Sequence, residues 1–154
     1  MKGICKIVFI LCGLLFVLSS CNQVSRTSRR IQHTLYEQQQ HAEELTKHLC
    51  HAIETNNFDS LWSYSHMDEN IVFYIYYGNQ MVYWSNAWLA SSRQGIPTIY
   101  DQWHFMQWDN AQGVCYKTKV GDFQIIVAFP VKYNYSVTSS QLHNSFIAPF
   151  HGDT

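Results

Sequence analysis

The change in hydrophobic period near residue 70 is the feature that most constrains the fold. From Ser28 to Asn56 the chain has no glycine or proline, and apolar or small side chains recur every three or four residues, which is typical of an amphipathic helix. From Ile71 onward, runs rich in β-branched and aromatic residues are separated by turn residues, which predicts strands. A chain of 154 residues with this order is predicted to form one domain that combines a long helix with a sheet.

The helix of residues 28–56 has an apolar side and a polar side. Its mostly apolar side, with Gln38 as the polar member, follows alternating spacings of four and three residues: Ile31, Leu35, Gln38, Ala42, Leu45, Leu49 and Ala52. Its polar side carries another row: His33, Glu37, His41, Glu44, His48 and His51. Histidine and glutamate at such spacings can chelate a divalent metal, but a solvated face has the same composition and chelation needs ligands from a second element. We therefore expect no metal and no cofactor, and interpret the helix as a packing or dimerisation stalk.

Five strands are predicted after this helix. The first two form a hairpin, 71–77 and 81–84, around the turn Gly78-Asn79, and the others are 103–108, 114–120 and 123–131. The apolar run from Ile125 to Phe129 has no polar side, which predicts a central position in the sheet. Short helices are expected at 61–64, after a cap at 57–60, at 86–91 and at 139–146. The predicted fold class is α+β, with the long N-terminal helix packed on a five-stranded antiparallel sheet.

The first residues have the pattern of a targeting segment. Lys2 and Lys6 precede an apolar run of about 12 residues, which at ~1.5 Å per residue is too short to span a ~30 Å hydrocarbon core. The run ends in 18–21, Leu-Ser-Ser-Cys, which resembles the lipobox of bacterial lipoprotein signal peptides. The resemblance implies a signal peptide at 1–20, lipidation of Cys21, a membrane partner through the lipid, and a location in the cell envelope facing the periplasm. An ordinary signal peptide and an uncleaved anchor are the alternatives.

Composition limits the remaining classes. The chain has 10 Lys+Arg against 11 Asp+Glu, a balance that argues against a nucleic-acid partner, and 16% aromatic residues, which argues against disorder. Beyond the leader, every aromatic residue except Tyr36 lies within 57–150, which is the expected globular domain. The predicted division of the chain before it is a tether at 21–27 and the helix at 28–56, and after it a tail at 151–154. Cys50 and Cys115 are expected either to pair or to remain two buried thiols.

The segment 71–150 resembles the periplasmic sensor region of Bacteroidetes-type two-component sensor histidine kinases. The similar motifs are Phe-Tyr-Ile-Tyr-Tyr at 73–77 with Met-Val-Tyr-Trp-Ser-Asn at 81–86, the stretch 113–127, and the continuation through 131–135, 142–146 and Phe150. The resemblance implies a PAS-like domain in which the insert between the second and third strands walls a ligand cavity. Because the sequence ends at Thr154 without kinase domains, the expectation is a lipoprotein relative of the sensor or a truncated kinase.

Aromatic and polar residues around this insert are the candidate ligand-binding group, since ring faces with a few hydroxyl and amide groups suit a small organic ligand. The candidates are Tyr83, Trp84, Ser85, Asn86, Trp88, Trp103, His104 and Trp108. Core packing is the alternative for the tryptophans. Cys115 with His104 and Asp109 or Asp122 has the residue types of a thiol nucleophile and its base, but no known motif joins them, so no catalysis is expected.

The predicted function is that of a non-catalytic extracytoplasmic sensor or ligand-binding lipoprotein. Its expected partners are a membrane, an unknown small molecule, and either a second copy of the chain or a membrane kinase. The alternative is an envelope lipoprotein that acts as a structural or protein-interaction module through its N-terminal helix.

Overall fold

A computed structural model describes residues 2–86, 89, 98–136, 139 and 144–150, with side chains from Arg26 onward. Its elements are α1 (Lys2–Glu54), α2 (Ser60–Tyr64), β1 (Val72–Tyr77), β2 (Gln80–Trp84), β3 (Trp103–Gln107), β4 (Ala111–Val120), β5 (Phe123–Tyr133) and a final 3-10 turn at Ala148–Phe150. The fold is α+β, with one long helix and one five-stranded antiparallel sheet. Helix α1 includes residues 21–27, for which the sequence predicted a tether.

The chain divides into two compact units, Met1–Glu37 with Gly152–Thr154, and Gln38–His151. In the first unit, the described side chains from Arg26 to Glu37 are exposed or half-buried, and His33 Nδ1 lies 3.3 Å from Glu37 Oε2 one helical turn away. The second unit contains the rest of α1 together with the whole sheet.

The sheet has the strand order β2-β1-β5-β4-β3, and every neighbouring pair is antiparallel. The predicted central position of β5 is confirmed, since its apolar side chains are covered on both faces of the sheet. The predicted first hairpin is also confirmed, with Gly78 at φ 59° in the turn.

Strand β4 begins earlier than the sequence predicted. Residues 109–113 were expected to form a turn, but Ala111 already belongs to the strand, and Trp108 N donates to Ala111 O at 2.8 Å to close a tighter turn. Gly113 lies inside the strand beside a bulge, where an added Cβ would collide with the carbonyl oxygen of Phe129. This glycine therefore permits close approach of two strands rather than a turn.

One face of the sheet packs against α1. The side chains of Phe73, Ile75, Ile125, Val127 and Phe129 share this face by strand alternation and register, and all are buried. The helix contributes the predicted apolar row from its second half, and those residues are also buried: Ala42, Leu45, Leu49 and Ala52. The packing prediction is thus confirmed for the part of the helix within the second unit.

The opposite face of the sheet carries a second apolar cluster. Strands β2 and β3 are the two edges of the sheet, and Leu89 belongs to the connection between them. Leu89 from this connection is buried in an apolar cluster on that face, and Tyr74 Oη donates to its carbonyl oxygen at 3.3 Å. The cluster contains Val72, Leu89, Met106, Trp108, Ala111, Cys115, Ile126 and Ala128. We call this face the insert face and the other the helix face.

Two local predictions need correction. Asp59 stands at the N-cap of α2 without a side-chain capping bond, and Ser60 Oγ instead donates to Asn57 O at 2.7 Å. The helix predicted at 139–146 is not helical at its end, because Phe146 pairs with Lys132 in an isolated β-bridge. The rest of that prediction, and most of the one at 86–91, lie outside the described residues.

Candidate functional site

The candidate ligand-binding residues do not form a single group. Tyr83 and Trp103 lie on the helix face, whereas His104 and Trp108 lie on the insert face, because adjacent positions of a strand point to opposite sides. Trp84 pairs with Tyr74 at the edge of the insert face and is 53% exposed. Ser85 and Asn86 follow directly, and Trp88 lies outside the described residues.

The helix-face candidates make contacts typical of a core. The Tyr83 ring stacks on Phe73 with centroids 5.6 Å apart, and Trp103 packs at 5.9 Å against Phe129. Ser85 extends the β1–β2 pairing, since its Oγ accepts a hydrogen bond from Phe73 N at 3.0 Å and its own N–H donates to Phe73 O. These three residues therefore have structural contacts that account for their side chains.

His104, on the insert face, lacks a structural contact that would explain its side chain in the same way. Its Nε2 atom is buried and has no hydrogen-bond partner among the residues that the structure describes. A buried polar atom without a partner costs about 1–3 kcal/mol, which is a reason to look for a ligand beside it. Trp108 is buried in the same apolar cluster, and Tyr74 borders it.

The structure places His104 beside Cys115, a proximity that sequence spacing did not predict. The two residues are cross-strand partners in the β3–β4 pair. Burial raises the pKa of the Cys115 thiol to about 12, so the thiol stays protonated at neutral pH and is a poor nucleophile. Asp109 and Asp122, the other residues of that hypothetical group, lie in exposed turns at opposite ends of β4.

A cleft on the helix face was not predicted from the sequence. It lies between the last three turns of α1 and strand β4, with a volume of about 400 Å³, within the usual range for small-molecule sites. Its lining residues are Glu43, Thr46, Lys47, Cys50, His51, Glu54, Tyr116 and Thr118. The helical members follow the spacing of one helix side, which borders the histidine row and shares His51 with it, so this row was visible in the sequence.

Asp101 is hydrogen-bonded to two of the residues that line the cleft. Its backbone is in the left-handed region, with φ 56°, and its N–H donates to Lys117 O at 2.7 Å. The carboxylate accepts hydrogen bonds from Thr118 Oγ1 at 2.7 Å and from Tyr116 Oη at 3.4 Å. Aspartate is one of the few residues that tolerate this backbone conformation, which aims the carboxylate back at β4.

Negative charge around the cleft affects its titratable groups. Burial, and then the carboxylates of Glu54 and Asp101, raise the pKa of the Cys50 thiol. Burial, followed by the charge of Asp101, also raises the pKa of Tyr116. Cys50 and Cys115 are both free thiols, so the alternative of a disulfide between them does not hold in this structure.

No protein-family model, curated protein or solved structure matches this chain. Among the residues that could be searched, no group of three or more histidine, cysteine, aspartate or glutamate side chains is arranged to hold a metal ion. Within the same described part of the chain, no helix combines the length and hydropathy needed to cross a membrane.

Proposed function

We propose that this chain is a non-catalytic, extracytoplasmic sensor or ligand-binding lipoprotein with a PAS-like domain. The support for a PAS-like domain is the order of elements: a long helix, a short helix, two strands, a connection that contains Leu89, and three further strands. The motifs similar to the histidine-kinase sensor region lie on these strands, with residues 73–77 in β1 and 113–127 across β4 and β5.

The observation that carries this proposal is the buried, unpartnered Nε2 atom of His104 on the insert face. Leu89 is buried in the apolar cluster on that face, so a small ligand held beside His104 would meet apolar side chains and one polar group. Sites for small organic molecules commonly have this combination, because the apolar area supplies binding energy and the polar group supplies orientation.

The test uses the full chain in detergent micelles and a panel of metabolites. Binding is read from the thermal midpoint and from tryptophan fluorescence, since Trp108 lies in the cluster beside the proposed site. A ligand that stabilises the native protein but not the His104→Phe variant supports the proposal. The matched control is His66→Phe, because His66 is exposed and lies against Trp62 away from the sheet faces. A protein indifferent to the whole panel counts against a sensor.

The lipid anchor is a second part of the proposal, and it depends on the resemblance of residues 18–21 to a lipobox. Expression in a bacterial host with labelled palmitate should label the native chain and not Cys21→Ser. The matched control is Cys12→Ser, which alters a cysteine within the apolar run and leaves Cys21 in place. Labelling that survives the loss of Cys21 would reject the anchor and the envelope location that follows from it.

A structural or protein-interaction module is the alternative function. The apolar row of α1 continues into the first unit, where Ile31 is 38% exposed and Leu35 is only half-buried. An apolar helix side exposed in this way can pair with a second copy or with a helix of a membrane kinase. Light scattering of the full chain should show a dimer that Ile31→Asp dissociates and Gln32→Asp, an exposed neighbour, leaves intact. If light scattering shows that the native chain is a monomer, the homodimer is excluded.

A further inference from the structure

We infer that the helix-face cleft binds the primary ammonium group of a small molecule, at a site separate from the one proposed on the insert face. The cleft has about 400 Å³, room for a small organic molecule, and its walls come from one helix and one strand of the same compact unit. The inference is independent of sensor function, because it depends only on the chemistry of these walls.

The hydroxyl groups of the cleft can only accept hydrogen bonds from a ligand. Thr46 Oγ1 donates to Ala42 O at 2.7 Å, and the hydroxyls of Tyr116 and Thr118 both donate to Asp101. Each hydroxyl has a single hydrogen, so the lone pairs that remain are acceptors. A ligand group that contacts these three hydroxyls therefore has to bring donors of its own, whereas Lys47 and His51 carry donors elsewhere in the lining.

The charges of the cleft favour a cationic donor. Glu43 and Glu54 lie in its lining, and the Asp101 carboxylate lies behind Tyr116 and Thr118. Helix α1 ends at Glu54, so the partial negative charge of the helix C-terminus adds to that of the carboxylates at this end. An ammonium group has three donors and a positive charge, which is the complement of these acceptors.

Lys47 distinguishes two classes of ligand that carry a primary ammonium group. Its own ammonium lines the cleft beside the carboxylates, where it can pair with an acidic group of an amino-acid-like ligand. A plain alkylamine or diamine has no such group. Both classes of ligand place a primary ammonium against the same acceptors, and titration with representatives of each class distinguishes the two.

The experiment is calorimetric titration of the full chain in detergent with four probes of similar length. These are 1,4-diaminobutane, butylamine, 4-aminobutyrate and the neutral butane-1,4-diol. We expect saturable binding of the amines and none of the diol. A stronger response to 4-aminobutyrate that Lys47→Gln abolishes identifies an amphoteric ligand, and a stronger response to 1,4-diaminobutane identifies a diamine.

Two variants test the acceptors, and neither substitution is expected to disturb the fold. Glu54→Gln removes one charge from an exposed helix end, and Asp101→Asn removes one charge while asparagine still tolerates the left-handed backbone. Glu54→Gln should weaken amine binding about tenfold, since a charge-assisted hydrogen bond is lost. Asp101→Asn should weaken it by less, since Asp101 acts through the hydroxyls of Tyr116 and Thr118. Glu44→Gln is the matched control, because Glu44 is exposed on the same helix but does not line the cleft.

The inference is overturned if the diol binds as well as the amines, if no amine binds, or if Glu54→Gln and Asp101→Asn both leave the affinity unchanged. Failure of this site is distinguishable from failure of the insert-face site. His104→Phe should leave amine binding at its native level, because His104 lies on the other side of the sheet.

Discussion

Trp103 joins the sheet to the helix by a hydrogen bond from its indole Nε1 to Oε1 of Glu43, at 3.2 Å. The two residues are 60 positions apart in the sequence, and the ring also packs at 5.3 Å against Tyr116 on the neighbouring strand. One side chain thus links α1 to β3 and β4, and its two partners, Glu43 and Tyr116, both line the cleft.

The bond between Trp103 and Glu43 should make a small contribution to stability. Trp103→Phe keeps a ring but removes the donor, and we expect the free energy of unfolding to fall by about 1 kcal/mol, the usual net value of one hydrogen bond. Glu43→Gln keeps an acceptor oxygen and should change it by less. Urea denaturation monitored by circular dichroism measures both, and equal losses in the two variants would contradict this account.

Gly113 and Gly78 should respond differently to the same substitution. Gly113→Ala places a methyl group against the backbone of Phe129 and Pro130, which cannot move aside without separating two strands, so we expect a loss of about 2–3 kcal/mol or more. Gly78→Ala meets nothing within 4 Å but has φ +59°, and should cost about 1 kcal/mol. Unfolding curves of the two variants give the comparison, and a reversed ranking would rule out the close approach at Gly113.

Stability should fall as the pH rises above about 9. Burial raises the pKa of Cys115 from 9.0 to about 12 and that of Tyr74 from 10.0 to about 12. Both groups are neutral when protonated, so their stabilising effect is complete below the unfolded pKa and is lost as the pH rises from about 9 to about 12. Each group can contribute a slope of at most about 1.4 kcal/mol per pH unit within its own interval.

Variants separate the two contributions. Cys115→Val should flatten the decline that begins near the unfolded cysteine pKa of 9.0, and Tyr74→Phe the decline that begins near 10.0. The measurement is the free energy of unfolding from urea titrations at several pH values between about 7 and about 11. If Cys115→Val keeps the full alkaline loss, the buried thiol is not its source.

The two thiols of the second unit should differ in accessibility. Cys50 is half-buried in the cleft and Cys115 is fully buried, so iodoacetamide should alkylate Cys50 slowly and Cys115 only after unfolding. Glu54→Gln should accelerate the reaction at Cys50, because Glu54 helps to raise that pKa. Peptide mapping by mass spectrometry identifies each modified position, and labelling of Cys115 in native buffer would show that the insert face opens.

The sequence was most informative where local chemistry decides the structure. The hairpin around Gly78 depends on a left-handed turn between β-branched and aromatic runs, and the position of β5 depends on a strand apolar on both sides. Both are local properties. The start of β4 was predicted too late because Gly113 looks like a turn residue, and only the contact with Phe129 across the sheet explains it.

The candidate site was harder to predict because it depends on which face each side chain takes. Trp103 and His104 are adjacent in the sequence, and both are residue types that bind small ligands. Trp103 nevertheless packs on the helix face, whereas His104 lies on the insert face. The cleft combines helix residues with Tyr116 and Thr118, more than 60 positions away, and no motif marks the Asp101 carboxylate that accepts hydrogen bonds from both hydroxyls. Tertiary packing alone brings these groups together.

The central position of β5 also affects how the chain can fold. Two hairpins, β1–β2 and β3–β4, can form from nearby residues, but they have no direct pairing with each other. Until residues 123–133 are available, β1 and β4 each have an unpaired backbone edge that can join another chain. Completion of the sheet by pairing β5 with β1, about 50 positions earlier in the sequence, is therefore expected to limit the folding rate and to be the step most exposed to aggregation.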